Sequence, residues 1–279
     1  MKRVLSIQDI SCVGKCSLTV ALPVLSAAGL EASILPTSIL STHTAFSGFT
    51  FRDLTEDILP IAQHWKTQNI TFDGIYTGYL GSIRQIEAVE YVFDDFKKDG
   101  QLRFVDPAMG DNGKLYVGFT PDFAKRMGKL CGKADIIVPN LTEAAFMLGE
   151  ECLPQGYTEK DVRELLLRLM DLGAPTAVLT GISFEPGKCG VAGYDRNRDE
   201  FFTCFNEQLP ALFHGTGDVF ASACFAAMMN DKILPQALRT AVDFTVESMR
   251  CTLSHEDHNW YGVDFETAIP TLLKLLGKY

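Results

Sequence analysis

Short apolar runs alternate with longer amphipathic stretches along most of this sequence. The apolar runs predict β-strands at residues 3–8, 32–35, 74–77, 103–106, 135–139 and 176–180. The amphipathic stretches predict helices near residues 17–28, 55–67, 83–97, 121–130 and 159–172. Strand–helix alternation of this kind predicts an α/β fold, in which helices cover both faces of a mainly parallel sheet.

The last third of the chain departs from this alternation. Residues 189–194 and 200–205 predict a β-hairpin around a polar turn, and further helices are predicted at residues 219–229, 234–251 and 265–276. No repeat, low-complexity tract or Pro/Ser-rich linker interrupts the sequence, so we expect a single domain over residues 1–279.

Composition disfavours several classes of partner. The formal charge of −10 argues against binding to nucleic acid or to an acidic membrane surface. No apolar stretch approaches the roughly 18–20 residues that a membrane span needs. The eight cysteines include no Cys-x-x-Cys pair and several lie in apolar segments, which is typical of reduced thiols in a cytoplasmic protein.

A glycine-rich turn, His214-Gly215-Thr216-Gly217-Asp218, runs directly into the predicted helix 219–229. Glycines let backbone N–H groups turn towards an anion, and a helix N-terminus adds partial positive charge. A carboxylate among such donors suits a base that takes a proton from a hydroxyl while the amides stabilise a phosphoryl group. The alternative is that Asp218 simply caps the helix.

Polar residues follow the predicted strands. In parallel sheets of this type ligands bind beyond the carboxyl ends of the strands, so these residues predict a pocket. They are Asp9, Gly78, Tyr79, Asp106, Asn140, Thr180 and Gly181.

Two loops carry carboxylates that could bind Mg²⁺. Asp106 and Asp111 lie five residues apart on one loop, and Glu143 follows another strand. Magnesium is commonly held by one or two carboxylates together with phosphate and water. The competing interpretation is turn chemistry, because Asp-Pro and Asp-Asn-Gly are common turn sequences.

Other motifs give weaker signals. Gly14-Lys15 fails as a phosphate-binding P-loop, because Asp9 stands where the first glycine is required and Cys16 where Ser or Thr is required. His255 and His258 could bind a metal, but a polar connector between two helices is favoured. Tyr79 could stack on an aromatic substrate or be a buried tyrosine in a turn.

Together these residues resemble the ribokinase-like small-molecule kinases, and among them the pyridoxal/pyridoxamine kinases of vitamin B6 salvage. The resemblance covers essentially the whole chain. It is carried by Ser6-Ile7-Gln8, Ser41-Thr42-His43-Thr44, Thr77-Gly78-Tyr79-Leu80-Gly81-Ser82, Val105-Asp106-Pro107-Ala108-Met109-Gly110-Asp111, Pro139-Asn140-Leu141-Thr142-Glu143-Ala144 and Gly215-Thr216-Gly217-Asp218.

The resemblance implies ATP-dependent phosphorylation of the 5′-hydroxymethyl group of a B6 vitamer. It assigns Asp218 as the catalytic base, with an anion hole at Gly215, Thr216 and Gly217. Implied roles for the other residues are Mg²⁺ binding by Asp106, Asp111 and Glu143, contacts near the nucleotide phosphates by Asn140, Glu143, Thr180 and Gly181, and a pyridine pocket lined by His43, Thr44 and Tyr79.

The resemblance also implies a doubly wound fold without a large lid domain, a homodimer, and a monovalent cation as an open addition. One position departs from the family, since Asp9 stands where Ser is common. A carboxylate there predicts a preference for pyridoxamine over pyridoxal. Two alternatives stay open at this point: a hydroxymethylpyrimidine kinase of thiamine synthesis, and a catalytically silent binding protein with the same fold.

Overall fold

The structure, a computed structural model, describes residues 1–278 and contains a central nine-stranded sheet. A separate two-stranded hairpin lies beside it. The strands are β1 (Arg3–Val13), β2 (Glu31–Thr42), β3 (Phe51–Asp53), β4 (Gly74–Thr77), β5 (Leu102–Val105), β6 (Gly110–Asp111), β7 (Lys114–Leu115), β8 (Ile136–Ile137), β9 (Thr176–Ile182), β10 (Lys188–Asp195) and β11 (Glu200–Glu207).

The strand order is β11-β10-β9-β8-β5-β4-β1-β2-β3. All neighbours from β9 to β2 pair in parallel, whereas β3, β10 and β11 pair antiparallel at the two edges. Starting from β1, the strand numbers rise towards both edges of the sheet. This order confirms the doubly wound, mainly parallel arrangement. The predicted hairpin is also confirmed as β10 and β11.

Helices cover both faces of this sheet, as predicted. They are α1 (Leu18–Ala27), α2 (Thr55–Thr67), α3 (Ile83–Asp95), α4 (Pro121–Cys131), α5 (Leu141–Leu148), α6 (Glu159–Met170), α7 (Thr216–Met229), α8 (Leu234–Leu253) and α9 (Phe265–Leu275). One apolar core lies under α2 to α6 and the other under α1 and α7 to α9. Successive strand residues face opposite cores, so Leu5 packs in the first and Val4 in the second.

Helix α7 packs against the sheet in the second core, and most of its residues are buried. Phe225, at its centre, packs against Tyr76 at 5.5 Å and Phe104 at 5.8 Å between ring centroids. Gly74 lies beneath it, where a Cβ atom would come within 2.8 Å of the Phe225 ring. This close approach holds the helix against the middle of the sheet, and therefore fixes where its N-terminus lies.

Several elements differ from the sequence predictions. Strands β1 and β2 each continue beyond the residues where we expected them to end, and the short edge strand β3 was not predicted. Helix α5 was missed, because its first residues were interpreted as a loop. Asn140 and Glu143 in fact form a capping box, in which each side chain accepts a hydrogen bond from the other residue's backbone N–H.

No helix within residues 1–278 combines the length with the apolar character that crossing a bilayer requires.

Replacing Phe225 with Ala tests the importance of the α7 contact. We expect the free energy of unfolding to fall by about 3–5 kcal/mol, because a fully buried ring is lost and a cavity remains. Urea denaturation followed by circular dichroism measures it. Phe51→Ala is the control, since Phe51 is 48% exposed and its loss should cost less than about 1 kcal/mol. Equal losses in the two variants would contradict this account of the core.

Candidate active site

The residues predicted to form a pocket come together at the carboxyl ends of the parallel strands. Four acidic side chains from separate elements influence one another electrostatically there. The charges of Glu143 and Asp218 act on Asp106, and the charge of Asp9 acts on Asp218. The sheet topology therefore unites carboxylates that are far apart in the sequence.

The glycine-rich turn lies at the N-terminus of α7, with Gly215 in the left-handed region at φ 77°. Its carbonyl accepts the Val219 N–H at 3.0 Å. A side chain at Gly215 would collide with the carbonyl oxygen of Lys15, so this position needs glycine for both conformation and space. Because the helix begins at Thr216, Asp218 lies inside its first turn, and the interpretation of Asp218 as the cap is wrong.

The first turn of α7 presents backbone N–H groups that have no partner within the helix. Gly217 is exposed, and a Cβ atom there would meet no other atom within 4 Å. The turn is therefore open to a ligand, and its amides together with the helix dipole favour an anion. This geometry supports the predicted anion hole at Gly215, Thr216 and Gly217.

The Asp218 carboxylate is partly shielded from solvent. Desolvation raises the pKa of Asp218 to about 7, the backbone N–H of Ser17 opposes the rise, and the nearby charge of Asp9 adds to it. A pKa close to the working pH suits a general base, because the ionised form is populated and still accepts a proton readily.

Asp9 lies within β1 rather than after it, which corrects its predicted position at the end of the strand. The register with β2 shifts between Gln8 and Ile10, so Asp9 sits at an irregularity of the β-bulge type. It is buried, and the Ser11 hydroxyl donates a hydrogen bond to its Oδ2 at 2.9 Å. Burial raises the pKa of Asp9 despite hydrogen bonds from Ser11 and Ser17.

Glu143 and Asp106 form the second part of the acidic cluster. Oε1 of Glu143 accepts the Met109 N–H at 3.1 Å and Oε2 accepts the Asn140 N–H at 2.8 Å. Burial raises the pKa of Glu143 to about 8, with these amides opposing the rise. Burial and the charges of Glu143 and Asp218 hold the pKa of Asp106 well above its usual range.

Asp111 lies further out, in the β6–β7 hairpin. It is exposed, and its carboxylate accepts a hydrogen bond from the Asn112 N–H at 2.8 Å. Asn140 ties this hairpin to the sheet, because its Nδ2 donates to the Gly110 carbonyl at 2.8 Å. In the part of the chain that the structure describes, no group of three or more His, Cys, Asp or Glu side chains is arranged to hold a metal ion. Magnesium binding by Asp106, Asp111 and Glu143 stays a prediction.

The residues predicted near the nucleotide phosphates are neighbours. Asn140 and Thr180 form a parallel β-bridge, and the Thr180 N–H donates to the Pro139 carbonyl at 2.9 Å. Gly181, which follows, is exposed with φ at 70°. These residues lie at the end of β9, on the side of the site that carries Glu143.

The residues predicted to line the pyridine pocket differ in exposure. Tyr79 is partly buried and packs against Phe119, with ring centroids 5.4 Å apart and the rings tilted by 41°. Burial and the charge of Asp9 raise the pKa of Tyr79 to about 12. Thr44 is exposed in a turn.

His43 is buried, and both of its ring nitrogens have partners in the protein. Nε2 lies 2.9 Å from the Tyr261 carbonyl, and Nδ1 accepts the Ala45 N–H at 3.2 Å. This pattern requires the neutral ring with its proton on Nε2. His43 therefore joins the loop that follows β2 to the connector between α8 and α9, next to the pocket.

Sequence reasoning missed the contribution of Lys15. It does not belong to a P-loop, but its loop packs against Gly215, and its ammonium lies 2.5 Å from Asp264 and 2.9 Å from Glu266. The Lys15 stem also lies against Gly262. These contacts fasten the C-terminal connector to the glycine-rich turn, and no local pattern indicates them.

The connector itself, residues 254–264, is mainly turns between α8 and α9, as predicted for the segment that holds His255 and His258. Its Trp260 packs on Phe46 with ring centroids 4.6 Å apart and on His43 at 6.1 Å. His214 lies just before Gly215 in the glycine-rich turn, and the centroid of its ring is 5.2 Å from that of His43. The connector thus forms one wall beside the site.

Comparisons with known proteins agree on the fold and on the chemistry. The phosphomethylpyrimidine kinase family matches residues 23–261. A candidate phosphomethylpyrimidine kinase from Bacteroides thetaiotaomicron, solved in a crystal form with pyridoxal, is 38% identical, with a TM-score of 0.92 over 97% of this chain and 95% of its own.

Two further relatives carry the name of pyridoxal kinase. The structure of the Lactobacillus plantarum enzyme is 30% identical, with a TM-score of 0.89 over 99% of this chain and 98% of its own. The Arabidopsis thaliana enzyme is 26% identical over 94% of this chain and 85% of its own length.

The acidic cluster predicts how stability depends on pH. The folded-state pKa values of Asp218 and Glu143 lie above those of the unfolded chain, so the folded protein retains protons that the unfolded chain has already released. The stability that these protons supply is present at low pH and is lost as pH rises through the folded pKa values. The free energy of unfolding should therefore fall from about pH 4, near the pKa values of the unfolded chain, to about pH 8, and level off above it.

Urea denaturation across this pH range measures the slope. Asp218→Asn removes one of the carboxyl groups whose pKa is raised, so the stability of this variant should depend less steeply on pH than that of the wild type. A wild-type free energy of unfolding that stays level or rises over this pH range would contradict the raised pKa values of the acidic cluster.

Proposed function

Because this chain belongs to the phosphomethylpyrimidine kinase family, we propose that it is a pyridoxal kinase that transfers the γ-phosphoryl group of ATP to the 5′-hydroxymethyl group of a vitamin B6 vitamer. The resemblance to vitamin B6 kinases noted in the sequence is confirmed by the full-length match to pyridoxal kinases. The observation that carries the chemistry is the position of Asp218, a carboxylate of raised pKa in the first turn of α7.

In this proposal Asp218 accepts the proton of the 5′-hydroxyl as the hydroxyl oxygen attacks the γ-phosphorus of ATP. The bond from that phosphorus to the β-phosphate oxygen breaks, and ADP leaves. The backbone amides of Gly215, Thr216 and Gly217, at the helix N-terminus, stabilise the negative charge of the transferred group. Gly215 orients the turn, and the Lys15 loop behind it keeps the turn in place. Phosphoryl transfer depends mainly on positioning and on charge neutralisation, which these elements supply.

The acidic cluster supports the inclusion of Mg²⁺ in the proposal. Burial disfavours ionisation of both Asp106 and Glu143. The nearby charge of Glu143 adds to this effect on Asp106, and that of Asp111 adds to it on Glu143; a divalent cation would reverse it. Glu143 already accepts two backbone amides, so we assign it mainly to orienting the site and Asp106 to the ion. When bound, Mg²⁺ would neutralise phosphate charge during transfer.

The remaining parts of the proposal follow the family resemblance. Asn140, Thr180 and Gly181 would lie near the nucleotide phosphates, and His43, Thr44 and Tyr79 around the pyridine ring. We further propose a single-domain enzyme that acts in the cytoplasm as a homodimer. A monovalent cation is left open as an addition to Mg·ATP.

Asp218→Asn tests the assignment of the base. Turnover of the vitamers should fall by roughly 10²–10⁴-fold, because no group takes the proton, while the affinity for Mg·ATP stays close to that of the wild type. Coupled assays with pyridoxal, pyridoxamine, pyridoxine and hydroxymethylpyrimidine measure it, with nucleotide binding followed by calorimetry. Asp231→Asn is the matched control, since Asp231 follows the far end of α7 and is exposed.

The same assays separate the alternatives. Turnover of the pyrimidine alone would move the enzyme to thiamine synthesis. Binding of a vitamer without turnover by the wild type would support the catalytically silent protein. Full activity in Asp218→Asn would contradict its role as the base.

Asp106→Asn tests the assignment of the ion. The Mg²⁺ concentration that gives half-maximal turnover should rise by about tenfold or more, as expected when a charged ligand is lost. Titration of Mg²⁺ at fixed ATP measures the shift, and removal of divalent cations with EDTA should abolish wild-type turnover. An unchanged Mg²⁺ requirement in the variant would exclude Asp106 from the ion's surroundings.

A further inference from the structure

We propose that Asp9 makes this enzyme selective for pyridoxamine, by holding the ammonium group at the 4′ position of that vitamer inside the substrate pocket. This inference rests on the proposed function and adds a specificity determinant to it.

The first observation is a buried carboxylate that has no cationic partner among residues 1–278. Asp9 is 3% exposed, and its surroundings offer the hydroxyls of Ser11 and Ser17 and its own backbone N–H, but no positive charge. The lysine closest in sequence, Lys15, uses its ammonium on Asp264 and Glu266. A buried charge is costly unless it is paired, so a ligand that brings the cation would be favoured.

The second observation is that Asp9 lies at the same end of the sheet as Tyr79, because β1 and β4 pair in parallel with Ile7 opposite Thr77, and Asp9 and Tyr79 each follow two residues later. The charge of Asp9 acts on groups from three other segments: Cys16 in the loop after β1, Tyr79 after β4, and Asp218 in α7. Tyr79 is the predicted ring-stacking residue and Asp218 the proposed base. Asp9 is therefore buried at the end of the sheet where the proposed function places the pyridine ring.

The third observation is the irregularity in β1. Gln8 pairs with Pro36 and Ile10 with Ile39, so the register of β1 against β2 shifts at Asp9. Bulges of this kind re-aim a side chain and are frequent beside active sites. A strand with only a structural role would not need a bulge at Asp9, the position that carries the unpaired charge.

The chemistry of the vitamers selects the 4′ position. The 4′ and 5′ substituents stand on adjacent ring carbons, while the ring nitrogen is further from the 5′-hydroxyl. A carboxylate close enough to influence Asp218, which takes the 5′-hydroxyl proton, is therefore better placed for the 4′ group. Pyridoxamine carries an ammonium there, whereas pyridoxine carries a neutral hydroxyl and pyridoxal an aldehyde.

Steady-state kinetics on Asp9→Ser and Asp9→Asn test the proposal. The ratio of kcat/KM for pyridoxamine to that for pyridoxine should fall by about 10- to 100-fold in both variants, as expected for the loss of one charge-assisted hydrogen bond. Because the two vitamers share the ring nitrogen and the 5′-hydroxyl, effects on Asp218 or on folding cancel in the ratio. Calorimetric binding of both vitamers without nucleotide separates recognition from chemistry.

Cys12→Ser is the matched control, because Cys12 lies in the same strand with an exposed side chain. Its ratio should equal that of the wild type. An unchanged ratio in the Asp9 variants, an equal loss for both vitamers, or a wild type that prefers pyridoxine would overturn the proposal. A wild type that phosphorylates no vitamer would instead overturn the proposed function.

Discussion

The accumulation of negative charge at the carboxyl end of the sheet is the constraint on which the rest of the site depends. Asp9, Asp106, Glu143 and Asp218 are all shielded from water, and burial raises the pKa of each. Such a cluster lowers stability in the free protein. Its charges become favourable when a ligand brings positive charge, which is what Mg·ATP and a cationic vitamer would do.

The scaffold tolerates this cluster because each carboxylate is held by local donors. The capping box at the start of α5 occupies Glu143, the Ser11 hydroxyl holds Asp9, and the Ser17 amide lies near Asp218. The position of α7 is set from the other side, by the packing of Phe225 on the sheet and by the contact of Gly215 with the Lys15 loop. Rigid elements on both sides thus hold the acidic groups at fixed separations.

Hydrophobic periodicity was enough to predict the layers of the fold, and it matched both ends of β4 and of α2. It failed where polar residues interrupt an element. Asp9 was interpreted as the end of β1, because a strand that continues through a buried carboxylate breaks the usual pattern. Helix α5 was missed although the Asn140 and Glu143 spacing is a capping-box signature, because the two residues were considered only as ligands.

The site was less predictable than the fold for a physical reason. Motifs near strand ends indicated the acidic residues, since the topology of parallel sheets brings such ends together. The contact of Lys15 with Asp264 joins residues 249 positions apart, and no local pattern predicts it. The engagement of both His43 nitrogens depends in the same way on a distant carbonyl, that of Tyr261.

A crystal structure with Mg²⁺, a non-hydrolysable ATP analogue and pyridoxamine would test the account most directly. We expect the 5′-hydroxyl within about 3 Å of the Asp218 carboxylate, as a general base requires, and the terminal phosphate against the amides at the start of α7. A vitamer bound with its 5′-hydroxyl turned away from Asp218, or a nucleotide whose phosphates lie elsewhere, would contradict the central claim that this acidic cluster and turn form the catalytic site.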